Sequence, residues 1–321
     1  MPPTSPIRLA VGYGTVVATI PYLTLKLVWL SGGTVGLADP EFFSNHPAYT
    51  FGNLLTVGMD AIAVLIALAF THAWGRRIPA WLVLFPMWIA TGFLTPIMVF
   101  MPFAPIFFAG ASEGAGPLRS WVYLFVYGGF AAQGLLLSAA FVLYARSRWG
   151  EVFASRNGDA VPGPTHTLQA LLILIAAPLA ALVGLLHLAW AFGSRVGLPE
   201  AVLSDLPVAY GLTNGVYAAF AFAAAIGLPM LVYRLSRHSR LWVPLVLTWV
   251  GAGSMLAWGS WQIAIMAVRP ELSTVLLGLA MQTKVLAAVL AGVVMVLLLR
   301  ERFGLTSYDR GAIASTARHD V

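Results

Sequence analysis

The chain contains no cysteine. Disulfides, thiolate metal sites and cysteine nucleophiles are thereby excluded. Charge is also scarce: Asp, Glu, Lys and Arg make up 9% of the 321 residues, where a soluble domain carries about a quarter. So little polar surface cannot cover a globule in water. With 60% hydrophobic residues and a mean hydropathy of +0.85, the composition specifies an integral membrane protein.

Several catalytic signatures are missing as well. The sequence has no G-x-x-x-x-G-K phosphate loop, no H-E-x-x-H pair and no Ser-His-Asp signature. His72, His166 and His238 fall in or beside basic loops and His46 in another loop, without metal-ligand spacing. No D-D-x-x-D element is present, which argues against a magnesium-dependent prenyl transferase. The reading therefore expects no metal and no cofactor. A net charge of +6 and a pI near 9.8 would suit nucleic acid in a soluble protein. In a membrane chain they are the Lys and Arg of cytoplasmic loops, so no nucleic-acid partner is expected. The expected partners are membrane lipid and a hydrophobic small molecule.

What the sequence does have is long apolar runs. Windows of roughly 20 residues, the length that crosses a bilayer, fall near 8–30, 52–73, 79–101, 119–145, 167–192, 208–233, 241–268 and 274–299. That gives an all-α, polytopic protein of eight spans. The first run follows a single basic residue and lacks a small-x-small cleavage site, so it reads as a retained span. Interior prolines (Pro21, Pro86, Pro96, Pro178, Pro229, Pro244) are expected to kink spans without ending them. Alternate loops are basic: Arg8; Arg76 and Arg77; Arg146, Arg148 and Arg156; Arg234, Arg237 and Arg240; Arg300 and Arg302. The loops between them hold Asp39, Glu41, Glu113, Glu200, Asp205 and Glu271. The positive-inside rule then puts both termini of a multi-pass cell-membrane protein in the cytoplasm.

The chain also reads as built twice. A shift of 161 pairs Trp29 with Trp190, Gly36 with Gly197, Tyr49 with Tyr210 and Asn53 with Asn214. It goes on to pair Arg76 with Arg237, Trp81 with Trp242, Trp88 with Trp249 and Gly92 with Gly253, without a gap. A shift of 154 aligns RSRWG (146–150) with RERFG (300–304). Apolar composition would match Leu and Ala by chance but not rare Trp and Asn. Two four-helix repeats follow, 1–150 and 167–305, joined by a polar cytoplasmic linker at 151–166 and trailed by a disordered tail at 306–321. An even number of spans per unit makes the repeats parallel, about an axis along the membrane normal.

Ionisable groups within spans each ask for a role, because placing them in hydrocarbon is costly. Lys26, Asp60, His187 and Lys284 are such groups, all expected in the outer half of the bilayer. Asn53 and Asp60 lie two turns apart on one helical face. Gln133, Asn214, Gln262 and Gln282 add neutral polar groups. Lys26 corresponds to His187 and is expected to snorkel to the outer surface. Asp60 corresponds to Ala221 and Lys284 to Phe130, so these two break the symmetry. Asp60 then reads either as a functional carboxyl or as an ion pair with Lys26 or Lys284. Trp29-x-x-Gly32 and Trp190-x-x-Gly193 read as closures of the outer ends of helices 1 and 5. The apolar loop at 102–120 could fold back as a lid carrying Glu113.

Two functions fit these features. The first is a membrane-embedded terpene cyclase acting on a lipid-soluble prenylated substrate, which needs one acid, a dry cavity and π-faces for migrating positive charge. Asp60 would be the acid and Glu113 the second candidate, with Asn53, Asn214, Lys284, Trp88 and Trp249 around the substrate. WGRRIPAW (74–81) and LKLVWLSGGTVG (25–36) resemble segments of a group of actinobacterial eight-span membrane proteins. That resemblance implies kinship with the membrane terpene cyclases of drimentine-type indole-terpenoid pathways. It rests on structural segments and carries no catalytic residue over. The second function is a secondary transporter or exporter of a small hydrophobic molecule, for which intramembrane Asp and Lys suit ion coupling. Against it, Pro178 aligns with Val17 and Pro229 with Leu68, so the helix breaks do not match.

Overall fold

The computed structural model describes residues 6–39, 47–103, 118–159, 162–203, 208–235 and 237–303. Among them are eight helices long and apolar enough to cross a membrane. They are α1 (Pro6–Leu30), α2 (Pro47–Thr71), α3 (Ala80–Phe100), α4 (Ser120–Arg148), α5 (His166–Ala191), α6 (Val208–Val232), α7 (Trp242–Val268) and α8 (Val275–Phe303). No strand occurs among the described residues; the backbone bridges are the isolated pairs Leu37 with Leu118 and Arg156 with Arg240. Each of those bridges ties a loop to the loop that precedes another helix.

Hydrocarbon offers backbone groups no partner, so only unbroken helical hydrogen bonding suits these segments. Pro21, Pro86, Pro96, Pro178 and Pro229 are accommodated inside continuous helices. Pro244 differs from expectation. It stands in the first turn of α7, where a missing N–H leaves no bond unmade.

Packing follows chain order. In the second half each of α5, α6, α7 and α8 lies against the next, and α8 returns to α5. The first half has the same cycle, but α2 touches α3 only sparsely. The halves meet chiefly where α3 crosses α7, with a lesser contact of α3 with α6. At that crossing Trp88 Nε1 donates to the Trp249 carbonyl at 2.9 Å, and Trp249 Nε1 donates to Thr91 Oγ1 at 2.9 Å. One turn on, a Cβ on Gly92 would strike the Gly253 carbonyl. Partner numbers rise together along both helices, so α3 and α7 run in the same direction. Trp88 is buried in the hydrophobic core of the second half, while Trp249 packs against the cores of both. Phe141 stacks on Trp249 from the first half, ring centres 5.9 Å apart.

Residues 161 apart also close two helix ends identically. Gly32 and Gly193 both have φ +88°, and Gly36 and Gly197 have φ +76° and +77°, a region that favours glycine. Gly33 N–H bonds to the Val28 carbonyl and Ser194 N–H to the Ala189 carbonyl, the long return bond of a glycine-ended helix. Trp29 Nε1 donates to Val35 O at 2.8 Å and Trp190 Nε1 to Val196 O at 2.9 Å. The indole therefore staples the turn as well as capping the apolar stretch.

Candidate functional site

Lys26 stands four residues before the end of α1, and Asp60 stands near the midpoint of α2, which begins five residues earlier than hydropathy suggests. Lys26 Nζ donates to Asp60 Oδ2 at 2.7 Å, with side chains 0% and 7% exposed. This corrects the expectation that Lys26 snorkels: the ammonium turns inward because a carboxylate from the next helix waits there. Tyr22 lies one turn before Lys26 on the same face of α1, and its ring centre is 3.8 Å from Nζ, a close cation–π contact. Gln133 of α4 is buried beside the carboxylate. Of the two partners considered for Asp60, the structure gives it Lys26, not Lys284.

The second half builds a different cluster. Asn214 on α6 donates through Nδ2 to the Tyr210 carbonyl at 2.9 Å, so its Oδ1 is left as an acceptor. His187 Nδ1 lies 2.7 Å from that oxygen and must carry the proton there. His187 Nε2 is then a lone pair, and Lys284 Nζ of α8 donates to it across 3.3 Å. Lys284 Nζ also lies 4.3 Å from the Tyr217 ring centre. His187, Asn214 and Lys284 are all buried, and among the described residues Lys284 forms no ion pair with a carboxylate.

An aromatic run leads from this ammonium toward the first half. Tyr217 and Trp258 have ring centres 5.6 Å apart, Trp258 and Phe93 5.5 Å, and Phe93 and Trp261 6.4 Å. The Nε1 of Trp258 is buried without a hydrogen-bond partner among the described residues. The run therefore offers π-faces, one unused donor and one cation.

The structure disperses part of the candidate site. Asp60 and Lys284 belong to separate clusters, and Trp88 and Trp249 join the halves by the bonds described above. Asn214 is buried, whereas Asn53 is half-buried and Gln262 and Gln282 are exposed. Glu113 and the proposed lid fall outside the described residues, as does the tail at 306–321. No group of three or more His, Asp or Glu side chains among the described residues could hold a metal ion. Sequence reading missed Tyr22 and Tyr217 as cation partners. Helical spacing would have found Tyr22, four residues from Lys26, but not Tyr217, whose cation comes from another helix.

Eight apolar helices with charges satisfied internally define a polytopic α-helical membrane protein. No protein-family model, curated protein or solved structure matches the chain.

Proposed function

We propose that the chain is a secondary carrier for a small hydrophobic molecule, with the two buried polar clusters as its charge-bearing elements. The observation that carries this reading is a buried ion pair in one half and, in the other, a separate buried ammonium held by neutral groups. Protonating Asp60 would remove the counter-charge of Lys26 and loosen the tie between α1 and α2. The halves meet chiefly where α3 crosses α7, with Gly92 packed on Gly253, and rocking of one bundle against the other about that crossing would supply alternating access. We infer further that the halves are parallel repeats and that both termini face the cytoplasm of a cell-membrane protein, the side of the arginine-rich loops.

The test is flux in proteoliposomes under an imposed pH gradient, across a panel of lipophilic acids, amines and neutral terpenoids. Gradient-dependent flux that disappears in Asp60→Asn supports the carrier. No flux for any member of the panel, or undiminished flux in Asp60→Asn, sinks it.

A second reading, the terpene cyclase, is favoured by the Phe93–Trp258–Tyr217 run, whose π-faces suit a carbocation. In that reading Asp60 must leave Lys26 before it can donate a proton, and Glu113 is the other acid. Incubating the purified protein with prenylated indoles and other polyprenyl substrates, followed by mass spectrometry, decides it: no new product ends this reading.

A further inference from the structure

At the arginine-rich ends of α5, α6 and α8 lies a cavity of about 420 Å³. Its polar wall includes Arg234, Arg302, His166 and Gln169, and its apolar wall includes Leu231 and Leu298. The corresponding place in the first half is filled. There Tyr144, 154 residues before Leu298, is wholly buried and packs on Phe70 with ring centres 4.8 Å apart. Phe70 is 161 residues before Leu231, so leucines stand where the first half has two aromatic rings. Loss of both rings opens the space.

The same comparison frees charge. In the first half Arg148 donates through Nη1 to the Tyr144 hydroxyl and through Nη2 to the Ile78 carbonyl at 2.8 Å. Its counterpart Arg302 has no such hydroxyl and donates to the Asn157 carbonyl at 3.3 Å. A second guanidinium is added at Arg234, where the first half has Ala73. The Nε of Arg234 is buried with no hydrogen-bond partner among the described residues. One carboxylate, Glu301, also lines the cavity, and a second, Asp159, is near. Glu301 is engaged with the start of α5, accepting from the Thr165 N–H and from Gln169 Nε2, while Asp159 is exposed beside Arg302.

We propose that this cavity binds a phosphate group, held between the guanidinium groups of Arg234 and Arg302. Planar guanidinium forks match phosphate oxygens bidentately, and one phosphate has acceptors enough for both. The apolar wall gives the remainder of a phosphorylated ligand somewhere to lie. Two sources share this chemistry, an anionic lipid headgroup and a free phosphate, and both can be offered to the full chain in detergent.

Thermal melting and native mass spectrometry would be measured with inorganic phosphate, with phosphatidylglycerol, and with phosphatidylcholine as the neutral-headgroup control. A melting rise with phosphatidylglycerol alone identifies a lipid site, and a rise with inorganic phosphate identifies a free-phosphate site. Arg302→Gln and Arg234→Gln are each expected to weaken binding about tenfold, the effect of losing a hydrogen bond to a charged group. Leu298→Tyr refills the cavity while keeping both arginines and is expected to abolish binding. Equal response to phosphatidylglycerol and phosphatidylcholine with none to phosphate overturns the proposal. So does binding that survives both Leu298→Tyr and Arg302→Gln, since only diffuse surface charge would then be at work.

Discussion

The two halves share a frame and differ in what they bury. In the first half a cation has its own carboxylate at 2.7 Å; in the second, a cation rests on an imidazole and a phenol ring. Packing explains why the carboxylate is absent at the equivalent position. Ala221 is 0% exposed on α6. Close by, a Cβ on Gly251 of α7 would meet the Phe220 carbonyl and Ala224. No room remains there for a carboxylate. At the matching place on α2, Asp60 faces Lys26 of α1 and Gln133 of α4, which receive the longer side chain. The two halves thus differ in chemistry where the neighbouring helix supplies a partner for a charged side chain.

The largest effect should come from breaking the compensated cluster. Asp60→Ala leaves Lys26 charged and buried, at a cost of about 3–5 kcal/mol. The double variant Lys26→Met with Asp60→Leu should recover most of that. Unfolding in mixed micelles would show both, and equal losses in single and double variants would contradict a true pair. Next in size, Gly92→Val forces two backbones apart at the crossing and should cost about 1–3 kcal/mol, typical of overpacking. The same change at Gly52, which meets nothing within 4 Å, is the control.

Smaller again is Trp190→Phe, which removes one indole N–H bond to Val196 and should cost about 0.5–1.5 kcal/mol. Trp29→Phe should cost the same amount, because the two turns are alike; a marked difference between them would weaken the equivalence of the halves. The smallest effect belongs to the exposed pair Arg269–Glu271 at 2.8 Å. The Arg269 hydrogen bond holds the Glu271 carboxyl below its ordinary value. A depressed carboxyl stabilises above the unfolded pKa and loses that contribution as pH falls through the folded one. For a fully solvated pair this contribution is close to nothing. Glu271→Gln should leave the melting temperature unchanged at neutral pH.

Orientation can be tested independently because the chain has no cysteine. Single cysteines at Arg77 and Glu200 should label from opposite faces of intact cells, with Arg77→Cys protected from an impermeant reagent outside.

Hydropathy made the spans legible because hydrocarbon thickness, not propensity, sets their length. It missed their ends. α2 starts at Pro47 and α8 runs to Phe303, since polar residues can continue a helix once it has left the apolar layer. The turns after α1 and α5 were legible as well, because a glycine and an indole at fixed spacing leave few alternatives. The site was harder to read. Lys26 and Asp60 are 34 residues apart on different helices, and no one-dimensional period reveals which faces oppose. Trp88 and Trp249 were recognisable as equivalents, but not as residues that touch; that required knowing which helices cross.

Where Gly92 meets Gly253, main chain lies on main chain with no side chain between. Such a joint has no cushion. A methyl group added to Gly92 presses on a peptide unit that cannot swing away as a rotamer does, and one added to Gly253 meets the Trp88 indole and carbonyl, so neither glycine can be exchanged without moving the crossing. Novelty is left to the periphery, where an aspartate can replace an alanine or a leucine a tyrosine without disturbing the seam.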